Sequence, residues 1–200
     1  MNTEAITAAK AAFDIEADAI RRIPDNMDFD AFKRVVEALS QAERIAASGC
    51  GHSGIACRHF AHLMCCIERP ARFISPAEAV HGATGYIQKG DVIVLASRGG
   101  KTAELLPILD ICQRKQAVIV AVTENASSPL AIGADIVLPM YIERETDKYN
   151  SQGTTSFVVL CAIFDALQAA LIELTDYRNE QFALIHPGGA VGERLNALQP

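Results

Sequence analysis

The sequence predicts a doubly wound α/β sandwich, a three-layer fold around a parallel sheet of five strands, and three observations carry that prediction. Strand-like and helix-like segments alternate from Arg44 to Pro139. The strand segments include the near-continuous apolar runs VIVLA (92–96) and AVIVAV (117–122), which suit a sheet covered on both faces. The turn after the first strand, Gly49-Cys50-Gly51-His52-Ser53-Gly54, is glycine-rich and runs straight into a helix, at the end of the sheet where such folds hold ligands.

The chain opens with a predicted helix over Thr3–Arg22, with Thr3 as its N-cap and Ile6, Ala9, Phe13 and Ile20 on one face. Pro24 ends it. Asp28 caps a second helix, 29–42, whose apolar positions are Phe32, Val35, Val36 and Leu39. Two amphipathic helices ahead of the first strand suit packing across a partner subunit, so a homodimer or homotetramer is expected. Strands are predicted at 44–48, 71–74, 91–97, 117–123 and 136–139, with helices at 53–67, 77–84, 102–114 and 129–132 between them. A polar loop, IERETDKYNSQGTTS, then leads to a long helix ending at Leu174 and a short one over 179–185. The tail HPGGAVGERL is too rich in glycine to read as a plain helix end. With no repeat, low-complexity tract or linker, residues 1–200 form one domain, with helices over 1–42 and the core over 43–195.

Composition narrows the classes of function. Half the residues are hydrophobic, enough for one sizeable core, and the formal net charge of −6 gives no general attraction to nucleic acid or anionic membrane. Any anion site is therefore local. The six cysteines have no CxxC spacing and read as small buried hydrophobes of a reducing, cytoplasmic compartment. No apolar signal core opens the chain, and the stretch 157–174 carries Asp165, Gln168 and Glu173, as a core helix does and a membrane span does not.

Three loops should meet above the carboxyl ends of the strands. The first offers the backbone N–H groups of Gly51, His52 and Ser53 at a helix start, a geometry that holds phosphate. A GxGxxG pattern also occurs in dinucleotide sites, but there an acidic residue ends the next strand; here that strand ends in Ser75-Pro76, and Glu68 precedes it. A tight strand-to-helix turn that binds nothing is the plainest alternative. The second loop, Ser97-Arg98-Gly99-Gly100-Lys101-Thr102, combines hydroxyls, amides and two cations at another helix start. The third, with Thr154 and Thr155, is a hydroxyl-rich entry to the long helix, or simply its cap.

Together with the tail His186-Pro187-Gly188-Gly189, these segments resemble the sugar isomerase (SIS) domain family, from about Glu43 to Leu195, and within it the arabinose-5-phosphate isomerases. The resemblance implies a flavodoxin-like sandwich that oligomerises, binds a sugar phosphate and interconverts aldose and ketose. The family's GxGKSG loop places its lysine on His52, a departure. Its HG segment after PxEA falls on Pro76–Gly82 and keeps the histidine at His81. Its SxSGxTxE loop matches at Ser97, Gly100, Thr102 and Glu104, with Gly99 in place of the second serine; the carboxylate before the polar loop falls on Glu145.

The resemblance thus implies Glu104 and Glu145 for proton transfer and its support, His186 for ring opening or relay, and His81 and His52 beside them. Ser97 and Thr102 hold phosphate, and Arg98 and Lys101 return the positive charge missing at His52. Aldose–ketose isomerisation moves a proton between C1 and C2 through an enediol, and a carboxylate or imidazole suits that task. A second reading, a sugar-phosphate-binding or sensing module without turnover, follows from His52 and Gly99. No cofactor or metal is expected, although His52, His81 and His186 are of a type that also binds zinc; His59 and His62 read as ordinary helix residues. No basic DNA-binding helix pair is expected, nor the appended cystathionine-β-synthase-type pair that many arabinose-5-phosphate isomerases carry.

Overall fold

Apolar residues fill successive positions of the inner strands but only one stripe of each helix, and this difference of period sorts the chain into layers. The computed structural model describes residues 2–197. Its strands are β1 (Ile45–Gly49), β2 (Ala71–Phe73), β3 (Val92–Ala96), β4 (Val118–Thr123) and β5 (Ile136–Pro139), all parallel, in the order β2-β1-β3-β4-β5. β1 and β3 are buried at every position. Their register sets Ile45 beside Val92 and Gly49 beside Ala96, so both strands end at one level.

Helices α3 (Phe29–Gln41), α4 (Gly51–Cys66) and α8 (Thr155–Thr175) cover one face of the sheet, where Val35, Phe60, Phe164 and Leu167 pack on Val92, Val94 and Val120. Phe60 and Phe164 meet at 4.7 Å between ring centroids, and the Gln168 side chain donates to the Leu63 carbonyl at 2.9 Å. The other face carries α5 (Pro76–Ala79), α6 (Leu106–Lys115) and α7 (Pro129–Ile132), with Ile74, Ile108 and Leu130 on Ile93, Leu95 and Ile119. Alternate residues of β3 thus serve opposite cores. With a mean hydropathy of 2.1, α8 is long and apolar enough to cross a membrane by length and composition alone, yet its Val159, Ile163, Phe164 and Leu171 are buried in the first of these cores.

At the N-terminus, α1 (Thr3–Arg21) is capped by the Asn2 side chain, which accepts from the Ala5 N–H, and not by Thr3. α1 ends at Arg21, ahead of Pro24 as expected, but Pro24 does not end helical structure altogether. It occupies an early position of a single turn, α2 (Ile23–Asn26), where its missing N–H is no loss. Asp28 caps α3 as expected, accepting from Ala31 N–H at 2.9 Å. No residue of α1 is fully buried: Ala19 packs against the first core, while Ile6, Phe13 and Ile20 are exposed. The helix expected over 102–114 starts as a 3-10 turn, Ala103–Leu105, before α6, and a second such turn, Ala83–Tyr86, follows α5.

After α9 (Asn179–Ile185) the glycine-rich tail does form a helix, α10 (Gly189–Asn196). Its glycines serve the turn into that helix. Gly189 has φ +70°, and a Cβ on Gly192 would lie 2.4 Å from the His186 carbonyl oxygen. The cysteines divide likewise. Cys57 and Cys112 are buried, but Cys65 is exposed, and Cys50, Cys66 and Cys161 are half-buried.

Candidate active site

The first loop is built by two backbone contacts. A Cβ on Gly54 would lie 2.5 Å from the Gly49 carbonyl oxygen, and one on Gly49 would lie 2.9 Å from the Ser53 carbonyl. Only glycine at both positions lets α4 press onto the end of β1. Gly51 turns the chain at φ +52°, and no side chain caps α4, so its first-turn N–H groups face outward. With the helix dipole behind them they form a site for an anion.

The second loop closes on itself. Ser97 is buried; its Oγ accepts the Gly100 N–H at 3.1 Å and lies 2.8 Å from Thr102 Oγ1. Gly100, at φ +64°, sits where a Cβ would come within 2.0 Å of Ser128 Oγ. Ser97 therefore shapes the loop, while Gly99 and Lys101 stay exposed. Arg98 turns away. Its Nε donates to Glu124 at 2.8 Å and its Nη1 to Glu145 at 2.9 Å.

In the third loop Glu145 is only 2% exposed. Its Oε1 accepts from Arg98 and, at 2.6 Å, from Ser156 Oγ; its Oε2 accepts the Ser156 N–H at 3.1 Å and Thr154 Oγ1 at 3.4 Å. This carboxylate caps α8 from a neighbouring segment, where the dipole favours negative charge. Thr154 also accepts from the Thr146 N–H, and Thr155 is buried with its hydroxyl unpartnered. Asp147 accepts the N–H groups of Gln152, Ser151 and Tyr149, and these bonds hold its carboxyl below the usual range. Replacing Arg98 by alanine leaves a buried carboxylate with hydroxyl and amide donors only, and should lower stability by about 2 kcal/mol in denaturant unfolding.

The first and third loops meet at His52, whose Nδ1 would lie 3.0 Å from a Cβ on Gly153 and whose ring stands edge-on to Phe157 at 6.1 Å. The first and second loops meet at Cys50; burial pushes its thiol up, and the nearby Glu104 carboxylate adds to that. Between them lies an open cleft of about 410 Å³, lined among others by Gly51, Arg58, Ser75, Ala77 and Glu104. Glu104 is exposed and bonds to no described cation.

A family model described as the SIS domain matches residues 38–170. The chain belongs to the SIS domain family. It is 34% identical over 194 residues to arabinose 5-phosphate isomerase KdsD of Pseudomonas aeruginosa, covering 97% of this chain and 60% of that protein. To arabinose 5-phosphate isomerase KpsF of Escherichia coli it is 33% identical over 191 residues, covering 95% of this chain and 58% of that protein. The chain thus spans about three fifths of the curated relatives it matches. Among solved structures, a candidate sugar-phosphate isomerase of Listeria monocytogenes superposes with a TM-score of 0.91 at 39% identity, covering 94% of this chain and all of the other. A protein of E. coli CFT073 in complex with A5P does so at 0.86 and 29% identity, again covering 94% and 100%.

Against the SIS pattern, two expected placements differ. Arg98 was expected among the phosphate groups, but its guanidinium is neutralised between two carboxylates. The cation that lines the cleft is Arg58, 3.9 Å above the Phe73 ring, which sequence reading passed over. Its signal was spacing: it follows Gly54 by four residues and Gly51 by seven, on one face of α4. His186 was expected beside the glutamates, but within one chain it stands apart. Gln181 of α9 bonds to Glu68 just past the far end of α4, and the His186 ring lies against Phe182 at 4.9 Å with Nδ1 buried and unpartnered. His81 is exposed after α5 and makes no side-chain hydrogen bond to a described residue. The three histidines do not converge, and no group of three or more metal-binding side chains gathers among the described residues.

Proposed function

We propose that this SIS domain is an aldose–ketose isomerase of phosphorylated sugars, acting on arabinose 5-phosphate and ribulose 5-phosphate. One observation carries the reading: an open helix start and Glu104, a carboxylate with no ion-pair partner among the described residues, line the same cleft. The likeness to KdsD and KpsF, and to a protein solved with A5P, supports the substrate class.

The phosphate sits on the first-turn N–H groups of α4 at Gly51, His52 and Ser53, with Arg58 and Lys101 as cations and Gly99 and Thr102 on the second-loop side. That anchorage sets the C1–C2 bond near Glu104. Glu104 takes the C2 proton of the aldose, leaving an enediol, and returns it to C1 as a second proton moves from O2 to O1. His52 faces the sugar and suits that transfer between oxygens. Glu145 holds the start of α8, and with it Gly153 and Phe157, against His52.

Proton NMR of the protein with arabinose 5-phosphate in deuterated water tests the reading. Interconversion to ribulose 5-phosphate is the expected result, with deuterium entering C1 of the ketose, and C2 of the arabinose 5-phosphate re-formed from it, in those turnovers where the proton on Glu104 exchanges with solvent. Line broadening without turnover on any pentose or hexose phosphate would overturn it and leave a binding module.

A further inference from the structure

The three loops around the cleft are fastened in different ways. The first is fixed where α4 presses onto the end of β1. The second is braced on the end of β4 and the turn after it: the Arg98 carbonyl accepts from Thr123 Oγ1 at 2.8 Å and from the Glu124 N–H at 3.0 Å, and the Gly100 carbonyl accepts the Leu130 N–H at 3.2 Å. The third, 141–154, holds no strand or helix, and its anchor is the buried Glu145. The Arg98 side chain spans the gap between the last two. Its Nε bonds to Glu124 at 2.8 Å on the braced side, and its Nη1 reaches Glu145 at 2.9 Å. Glu145 in turn accepts the Ser156 hydroxyl at 2.6 Å and the Ser156 N–H at 3.1 Å, and in the chain Ser156 lies between Gly153 and Phe157, the two residues set against His52.

We propose that Arg98 is a positioning residue that ties the second loop to the third, so that the loop meeting the phosphate also sets the His52 ring against the sugar. A planar guanidinium held at two nitrogens by two carboxylates fixes direction as well as distance, which a single ammonium does not. An anion on Gly99 and Lys101 steadies the main chain just after Arg98, and the guanidinium carries that constraint to the start of α8. Without the guanidinium both ends persist: Ser97 Oγ still accepts the Gly100 N–H, and Ser156 still donates to Glu145. Their separation is what is lost. The phosphate donors are untouched, so the loss falls on the rate, and a misplacement of about 1 Å is enough to cost about 10²-fold. The inference takes its reaction from the isomerase reading above; the coupling between the loops does not depend on turnover.

Kinetics and a ligand titration separate this role from a merely structural one. With arabinose 5-phosphate, Arg98→Ala should lower kcat about 10²-fold and leave KM little changed. Arg98→Lys should recover part of the rate, and Glu124→Gln, which spares the bond to Glu145, should keep the native kcat. Inorganic phosphate added to the isotope-labelled protein should shift the amide NMR signals of Gly99 and Gly100 and, through Arg98, those of Glu145 and Ser156. In Arg98→Ala the first pair should respond at the same phosphate concentration and the second pair should not; Arg98→Lys carries the comparison should the alanine variant fail to fold. An equal response of Glu145 and Ser156 in native protein and variant, or a raised KM at native kcat, overturns the proposal. Phosphate that moves no second-loop amide overturns it too, whereas phosphate bound without turnover of the sugar overturns the isomerase reading alone.

Discussion

Replacing Glu104 by glutamine should reduce kcat by about 10²- to 10⁴-fold with little change in KM, the range for losing a single general base. The variant keeps the shape and hydrogen-bonding reach of the side chain and removes only its ability to take a proton. Because Glu104 is exposed and makes no ion pair with a described residue, folding should be unaffected, and thermal unfolding is the control. Glu145 differs in kind: its oxygens are occupied by Arg98, Ser156 and Thr154, so a proton from substrate would displace a bond that holds α8. Turnover by Glu104→Gln within tenfold of the native rate would remove Glu104 from the proton path.

The largest effect on stability is expected at Gly54. A methyl group there meets the Gly49 carbonyl oxygen at 2.5 Å, and the obstacle is main chain on both sides, so no side chain can swing away. α4 must lift from β1, which disturbs the packing of Phe60 and Met64 behind it. The expected cost of Gly54→Ala is on the order of 3 kcal/mol, or roughly 10 °C in Tm for a domain of this size. Ligand affinity should fall as well, because the lifted helix start is the anion site. A Tm within about 2 °C of the native value would show that the loop has more freedom than its geometry implies.

These two residues also show what is legible in a sequence. Gly54 and Glu104 declare themselves locally, one by the glycine spacing after a strand and the other by its place at a helix start. The same holds for Pro129–Ile132, Ile136–Pro139 and Asn179–Ile185, which form as expected because proline, glycine and apolar period agree there. Arg98 was misjudged because its neighbours along the chain suggest an anion site, whereas Glu124 and Glu145, remote in sequence, claim its guanidinium. Within one chain His186 lies apart from the glutamates for a related reason, since resemblance gives a residue a role without saying on which side of the fold its helix packs, and Gln181 of α9 bonds to Glu68. The α10 helix was missed because glycine weighs against a helix, and its glycines are needed by the turn that starts it.

The parallel order of the sheet bears on how the cleft comes into being. Strands that follow one another in the chain are joined through crossovers, and the β1–β3 pairing between the two anion loops, which encloses β2 as well, closes the longest loop between neighbouring strands. Arg44 and Asp91, at the base of that junction, are 47 residues apart in the chain and bond at 2.9 Å. Loop-closure entropy and high contact order make such a pairing slow relative to local helix formation. The glycine loop can fold onto β1 early, yet it faces no Glu104 until β3 docks. The cleft is thus complete only when this pairing is made: without it the chain has helices, half a sheet and two loops that do not meet.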